Sequence, residues 1–329
     1  MVAKNKIIGM AIIVAIAIGV FAYVATQNMQ QSTVTSQQNN TVTVHAAYNK
    51  FIDSLPFFVA LDKGYFKDAN ITIDSTAEVD ASLITSAMLA GQVDMGVPIA
   101  TSDLLLIEEK EPGQMKIFLG GAETATQQQF AILVKPDSSI KSMNDLQGKK
   151  IATIPGSVGI VLPKMMFKKY FNPDDITYVP LSPTDWISAL TSGQVDAVYS
   201  VEPLSTIMIK SGTARSILNS AMANSVTDPF VSVDYAFSTK FINAHPQTAA
   251  KIVDVINKAI DYMNANPDDT RKILAKYAEL PENLTANLGW SQYKPAIDDE
   301  SAIQVISDQM HAQGFLNNTI DAKNIIYSP

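Results

Sequence analysis

Four stretches of this chain set small or hydroxyl-bearing residues where a strand should end and a helix begin: Asn49–Leu55, Pro98–Ser102, Pro155–Val158 and Ser182–Asp185. The first amides of a helix lack partners within it and carry a partial positive charge. Several helix starts aimed at one cleft can therefore hold an anion without any arginine. That matters in a chain whose arginines are Arg215 and Arg271 alone. The ligand-facing candidates are Tyr48 and Asn49, Ser54 and Leu55, Thr101 and Ser102, Gly156, Ser157 and Val158, and Thr184 and Asp185. Gly156 lets backbone come close to a ligand, and Ser157 adds a hydroxyl. Ser54, Thr101, Ser157 and Thr184 are equally the residue types that cap helices, which is their other reading. Glu202, at a strand's carboxyl end before Pro203, can pair with a ligand amine or stand as a solvated rim charge. Glu123 and Asp185 carry the same two readings. Tyr48, Phe57, Trp186 and Tyr199 offer faces for an organic ligand, with core packing the expected place of Phe57 and Trp186.

The residue pattern points to binding and not to turnover. There is no Gly-x-Ser-x-Gly elbow, phosphate loop or Ser/His/Asp set. His45, His245 and His311 lie far apart and show no metal-ligand spacing. The chain has no cysteine, hence no disulfide, thiolate metal site or lipid-bearing N-terminal Cys. No catalytic residue, metal or cofactor is expected. A formal net charge of −8 without a basic stripe argues against nucleic acid as a partner.

A phrase used twice shows how the loops are positioned. Leu83–Gly96 and Trp186–Tyr199 each hold a helix-like run, then Gly-Gln-Val-Asp, then an apolar strand. The copies lie about a hundred residues apart, the span of one lobe of a small α/β protein. Gly91 and Gly193 suit the left-handed residue that ends a helix. Asp94 and Asp196 sit at strand starts, where a carboxylate can accept from nearby amides. Further strands are expected at 42–46, 71–73, 116–119, 130–134, 151–154, 176–180 and 230–237, alternating with helices, which gives a mostly parallel sheet in each of two lobes. The remainder is helical, with a long amphipathic stretch from Pro246 to Ala265, and returns to the first lobe.

Lys4 and Lys6 precede an uncharged apolar run, Ile7 to Ala25. As a helix it would rise roughly 28 Å, about one hydrocarbon core. It reads as a membrane anchor or a signal peptide, with residues 1–6 inside and the rest exported. Residues 26–41 are rich in Gln, Ser, Thr and Asn and read as a flexible tether. Sequons at Asn39, Asn70, Asn283 and Asn317 fit an exported surface.

The chain resembles the solute-binding proteins of ABC importers, in the branch serving nitrate, alkanesulfonates, taurine, bicarbonate and the thiamine pyrimidine precursor. The resemblance rests on Pro56-Phe57-Phe58-Val59-Ala60-Leu61-Asp62-Lys63-Gly64-Tyr65-Phe66, Ala90–Asp94, Asp145–Ala152, and Gly193–Ala197 with Glu202-Pro203, in that order. It covers about residues 42–329. It implies a two-lobed α/β fold of the second periplasmic type, a Venus flytrap with two crossings near Val134–Lys135 and Tyr235–Phe237. Lobe 1 is then 42–134 with 236–329, and lobe 2 is 135–235. It also implies a monomer that captures a small organic anion or zwitterion and delivers it to a membrane permease driven by an ATPase. Binding of a thiamine pyrimidine precursor is the alternative. Related pyrimidine synthases use a cysteine-rich motif, and the absence of cysteine argues against that activity.

Overall fold

The computed structural model describes residues 41–76, 81–286 and 288–328. The apolar run at 7–25 and nearly all of the tether lie outside the described residues. Among the described residues no helix is long and apolar enough to cross a membrane. The strands are β1 (Val42–Tyr48), β2 (Ile71–Thr76), β3 (Met95–Ala100), β4 (Met115–Glu123), β5 (Phe130–Val134), β6 (Lys150–Thr153), β7 (Thr177–Pro180), β8 (Ala197–Val201), β9 (Arg215–Asn219), β10 (Phe230–Ser238) and β11 (Gln292–Pro295). The α-helices are α1 (Leu55–Asp62), α2 (Tyr65–Asp68), α3 (Ala81–Leu89), α4 (Thr101–Lys110), α5 (Val161–Phe167), α6 (Trp186–Ser192), α7 (Leu204–Lys210), α8 (Thr239–Ala244), α9 (Pro246–Ala265), α10 (Pro267–Tyr277), α11 (Glu282–Thr285) and α12 (Glu300–Ala312).

Two sheets result, ordered β11-β4-β10-β3-β1-β2 and β7-β6-β8-β5-β9. In the first, β1 runs parallel to β2 and β3, while β10 lies antiparallel between β3 and β4. In the second, β6 runs parallel to β7 and β8, while β5 lies antiparallel between β8 and β9. The two sheets thus share a five-strand plan, and in each the inner antiparallel strand is the one the chain lays down on arriving from the other sheet; the first sheet adds β11, antiparallel on β4.

Read from sequence alone, the crossings fall near Val134–Lys135 and Tyr235–Phe237. The sheets place them earlier. β5 pairs wholly within the second sheet and β10 wholly within the first, so the chain crosses at 124–129 and again at 220–229. The physical reason is that Phe130–Val134 is a continuous buried run. Such a run marks a strand covered on both faces without saying which sheet covers it. β9 and β11 carry no alternation or long apolar run, and only the structure reveals them.

The repeated phrase folds the same way twice. α3 ends at Gly91 and α6 at Gly193, with φ of 70° and 80°, which a side chain would strain. In the first copy Asp94 Oδ2 accepts from His45 N at 3.0 Å, and Asp94 N donates to His45 O at 2.8 Å. In the second, Asp196 Oδ2 accepts from Lys150 N at 2.9 Å, and Asp196 N donates to Lys150 O at 2.8 Å. Each aspartate therefore staples the entering end of its strand to the neighbouring strand. Helix α9 buries Ala249, Ile252, Val255, Ile256, Ala259 and Met263, a three-to-four spacing that faces α1 and the first sheet. Trp186 and Phe57 are wholly buried core residues.

Replacing Asp94 by alanine removes a charged acceptor from the β1–β3 junction. We expect a loss of about 1–2 kcal/mol of stability in denaturant unfolding, partly restored by Asp94→Asn.

Candidate interlobe site

On the first lobe, the loop after β1 is closed by its own polar groups. Asn49 is buried, and its Oδ1 accepts from Phe51 N at 3.0 Å. Ser54 Oγ donates to Asn49 O at 2.8 Å and makes no cap bond to α1. Leu55 is wholly buried. The Tyr48 ring lies 5.5 Å from both Phe57 and Phe58, edge-on to the latter. Thr101 does not cap α4 either; its hydroxyl donates to Val231 O at 2.9 Å and ties the helix start to β10. Ser102 Oγ is buried without a described partner.

On the second lobe, Gly156 is exposed with φ of 91°. The close approach that makes this loop belongs to Gly159, where an added Cβ would stand 1.6 Å from Ile154 O. Val158 packs half-buried against the core. Ser157 Oγ donates across the lobes to Asp103 Oδ1, in the first turn of α4. The structure thus brings 101–103 and 156–158 together. Thr184 and Asp185 stay exposed: Thr184 shares a hydrogen bond with Ser182 at 2.9 Å, and the Asp185 side chain makes no cap bond.

Glu123 is wholly buried at the end of β4, where the chain leaves the first sheet. Its Oε2 accepts from Gln129 N at 2.8 Å and Phe130 N at 2.5 Å. Its Oε1 accepts from Met222 N at 2.7 Å and Ala223 N at 2.9 Å. One oxygen therefore serves each crossover, and the carboxylate that sequence offered as a ligand contact is fully engaged at the junction. Tyr199, whose ring is stacked on Phe130 at 5.3 Å, is buried beside it and is not a free face.

Around this junction lies a polar network that sequence did not single out. Gln129 Nε2 donates to Asp53 Oδ1 at 3.0 Å and also to Ser291 Oγ, while its Oε1 accepts from Ser232 Oγ. Ser291 Oγ donates to Asp53 Oδ1 at 2.9 Å, and Tyr235 OH to Asp53 O at 2.9 Å. Next to it, Glu202 Oε1 accepts from Gln128 Nε2 at 2.8 Å and Thr206 Oγ1 at 3.1 Å. Glu202 also borders a cavity of about 480 Å³ between the lobes, whose far wall includes Asn264, Arg271 and Trp290. Of the residues proposed from sequence, Glu202 alone borders this cavity. Asp53 and Asp103 had a weak signal, as acids inside or just beyond the chosen loops. Arg271 and Trp290 had none, since they reach the site from α10 and from the segment just before β11, far along the chain.

The carboxyls here share one electrostatic feature. Burial pushes Glu123 up to about 7 and Asp53 up to about 6, against the hydrogen bonds that favour their ionised forms. Burial likewise raises Asp103 and Glu202. Beneath the Thr101 turn, burial and the neighbouring Asp299 push Asp234 well up, and burial pushes Asp299 up to about 6. Among the described residues no group of three or more His, Cys, Asp or Glu could hold a metal ion.

Two α/β lobes of like strand order, joined by two crossovers and meeting over polar loops, define the periplasmic-binding-protein fold. Residues 51–270 match the family described as NMT1/THI5 like, and the chain belongs to that family. It is similar to a Bacillus subtilis (strain 168) protein named for aliphatic sulfonate binding, with 24% identity, covering 82% of each chain. It is also similar to the Saccharomyces cerevisiae 4-amino-5-hydroxymethyl-2-methylpyrimidine phosphate synthase THI13, at 23% identity over 73% of this chain and 71% of that one. Among solved structures, the Escherichia coli periplasmic aliphatic sulphonate binding protein SsuA superposes with a TM-score of 0.72 at 18% identity, covering 87% of this chain and 92% of that one. The alkanesulfonate-binding protein SsuA of Xanthomonas axonopodis pv. citri, bound to MOPS, gives 0.71 at 20% identity, covering 87% and 98%.

Two outcomes follow for the site. Glu123→Gln replaces one oxygen by an NH₂ group and strands the two amides of one crossover, so it is expected to cost about 1–3 kcal/mol in denaturant unfolding. The raised carboxyls leave the folded chain holding protons that the unfolded chain has released. Stability is therefore expected to fall as pH rises from about 4.5 to 7, so melting temperature measured against pH should be highest near about pH 4 to 4.5, decline up to about pH 7 and level off above it.

Proposed function

We propose that this chain is the extracytoplasmic solute-binding component of an ABC importer, capturing a small organic anion or zwitterion between its lobes. Closure moves one lobe on the other about the two crossovers. Ligand contacts to both lobes supply the differential affinity that favours the closed form. The carrying observation is the contact across the gap, Ser157 on Asp103, made between the loop that leads into α5 and the first turn of α4. The sulfonate-binding names of several relatives support an acidic solute. The apolar run behind Lys4 and Lys6 supports export, with that run as anchor or signal. On this reading the partners are a permease, which receives the solute, and its ATPase.

A second reading, binding of a thiamine pyrimidine precursor, draws on the yeast relative named as a pyrimidine phosphate synthase. Synthesis itself is disfavoured here, because the cysteine-rich motif expected of such enzymes has no counterpart in a chain without cysteine.

Thermal unfolding with a panel of alkanesulfonates, taurine, nitrate, bicarbonate and pyrimidine precursors tests both readings. A true ligand at a hundred times its Kd should add about 2.7 kcal/mol and raise the melting temperature by several degrees. A shift with precursors alone selects the second reading; no shift with any compound rejects both.

A further inference from the structure

The two arginines do different work. Arg215 is committed within the second lobe, where Nε donates to Pro136 O at 3.2 Å and Nη2 to Ser138 O at 3.0 Å and Ile140 O at 2.6 Å. Arg271, on α10 of the first lobe, borders the interlobe cavity beside Trp290, its guanidinium carbon 5.7 Å from the indole ring. Nε is steadied by Leu288 O at 3.2 Å. Its acidic partner, Asp268 at 3.0 Å, has a side chain 95% exposed. An ion pair so open to water is weak, and a guanidinium exchanges it readily for a ligand anion that it can grip with two N–H groups.

Glu202 faces the same cavity from the second lobe and is only 9% exposed. Its described hydrogen bonds come from neutral donors: Gln128 Nε2, Thr206 Oγ1 and, at 3.3 Å, Thr206 N. The basic group whose charge it feels, Lys210, is exposed at the far end of α7 and makes no described ion pair with it. A carboxylate buried without a cation beside it is costly, and a cationic group arriving with the ligand would relieve that cost.

We propose that this cavity takes a zwitterion, its cationic group on Glu202 and its acid group on Arg271, and that engaging both charges is what draws the lobes together. The proposal rests on the solute-binding reading above and narrows it. A cavity of about 480 Å³ falls within the range of small-molecule sites and has room for a molecule of amino-acid size. Because Arg271 belongs to one lobe and Glu202 to the other, a ligand with both charges spans the gap. A simple anion is held by the first lobe alone and has little reason to prefer the closed form.

The chain supplies its own reporter. Its tryptophans are Trp186, wholly buried with Nε1 donating to Leu181 O at 3.2 Å, and Trp290 at the cavity wall. Indole emission of the full chain is titrated with taurine and β-alanine, with the anions ethanesulfonate and propionate, and with ethylamine; Trp290→Phe identifies the responding ring. Zwitterions should bind at least about tenfold more tightly than their singly charged counterparts. Glu202→Gln should abolish that advantage while leaving anion binding intact, and Arg271→Gln should weaken zwitterions and anions alike. Anions that bind as tightly as zwitterions, or a zwitterion advantage that survives both substitutions, overturn the proposal while leaving the receptor reading standing. Silence from every probe, in emission and in melting temperature, overturns the proposal; silence from the wider panel as well removes the receptor reading.

Discussion

The carboxylate of Glu123 takes amide hydrogens from both passages between the sheets, two on each oxygen, and the two-lobed arrangement depends on that junction. Two strands of chain that only pass from one body to another have no ladder of their own to satisfy their amides. A buried carboxylate with four acceptor sites does so for both at once. The same residue fixes where β4 stops and where β5 begins. β5 is the antiparallel strand between β8 and β9, so a side chain at the edge of one lobe holds the first amide of a strand of the other.

The interlobe surface is polar and acidic, with few basic groups to answer it. Asp53 and Glu123 receive hydrogen bonds from neutral donors, and Asp103 meets a serine hydroxyl from the opposite lobe. These groups hold geometry through hydrogen bonds and not through ion pairs. Buried ion pairs would resist separation, whereas hydroxyls and amides exchange with water at modest cost.

Much of the architecture was legible because the repeated phrase has a physical cause. A helix ending on a left-handed glycine, followed by an aspartate that accepts from the neighbouring strand, produces the same unit at Gly91–Asp94 and Gly193–Asp196. Lobe membership of Phe130–Val134 was not legible, since an all-buried strand announces burial and not its neighbours. The loops were found, but the roles of their hydroxyls were not. Ser54 and Thr101 bond to carbonyls of Asn49 and Val231, partners that a local helix-cap pattern cannot name. Arg271 and Trp290 border the cavity from a region far along the chain from Glu202, so no spacing rule links them.

The plan in which each sheet receives its antiparallel strand from a crossing has a consequence for how the chain is made. The second sheet uses only residues 130–219, one unbroken segment, whereas the first needs β10 and β11 from beyond it. As the polypeptide emerges from the ribosome or a translocation channel, the middle of the sequence can complete its hydrogen-bonded sheet while the beginning still waits for the end. The N-terminal strands must therefore remain unfinished, with edges exposed, through most of synthesis, which makes the earliest-made lobe the last to close its sheet.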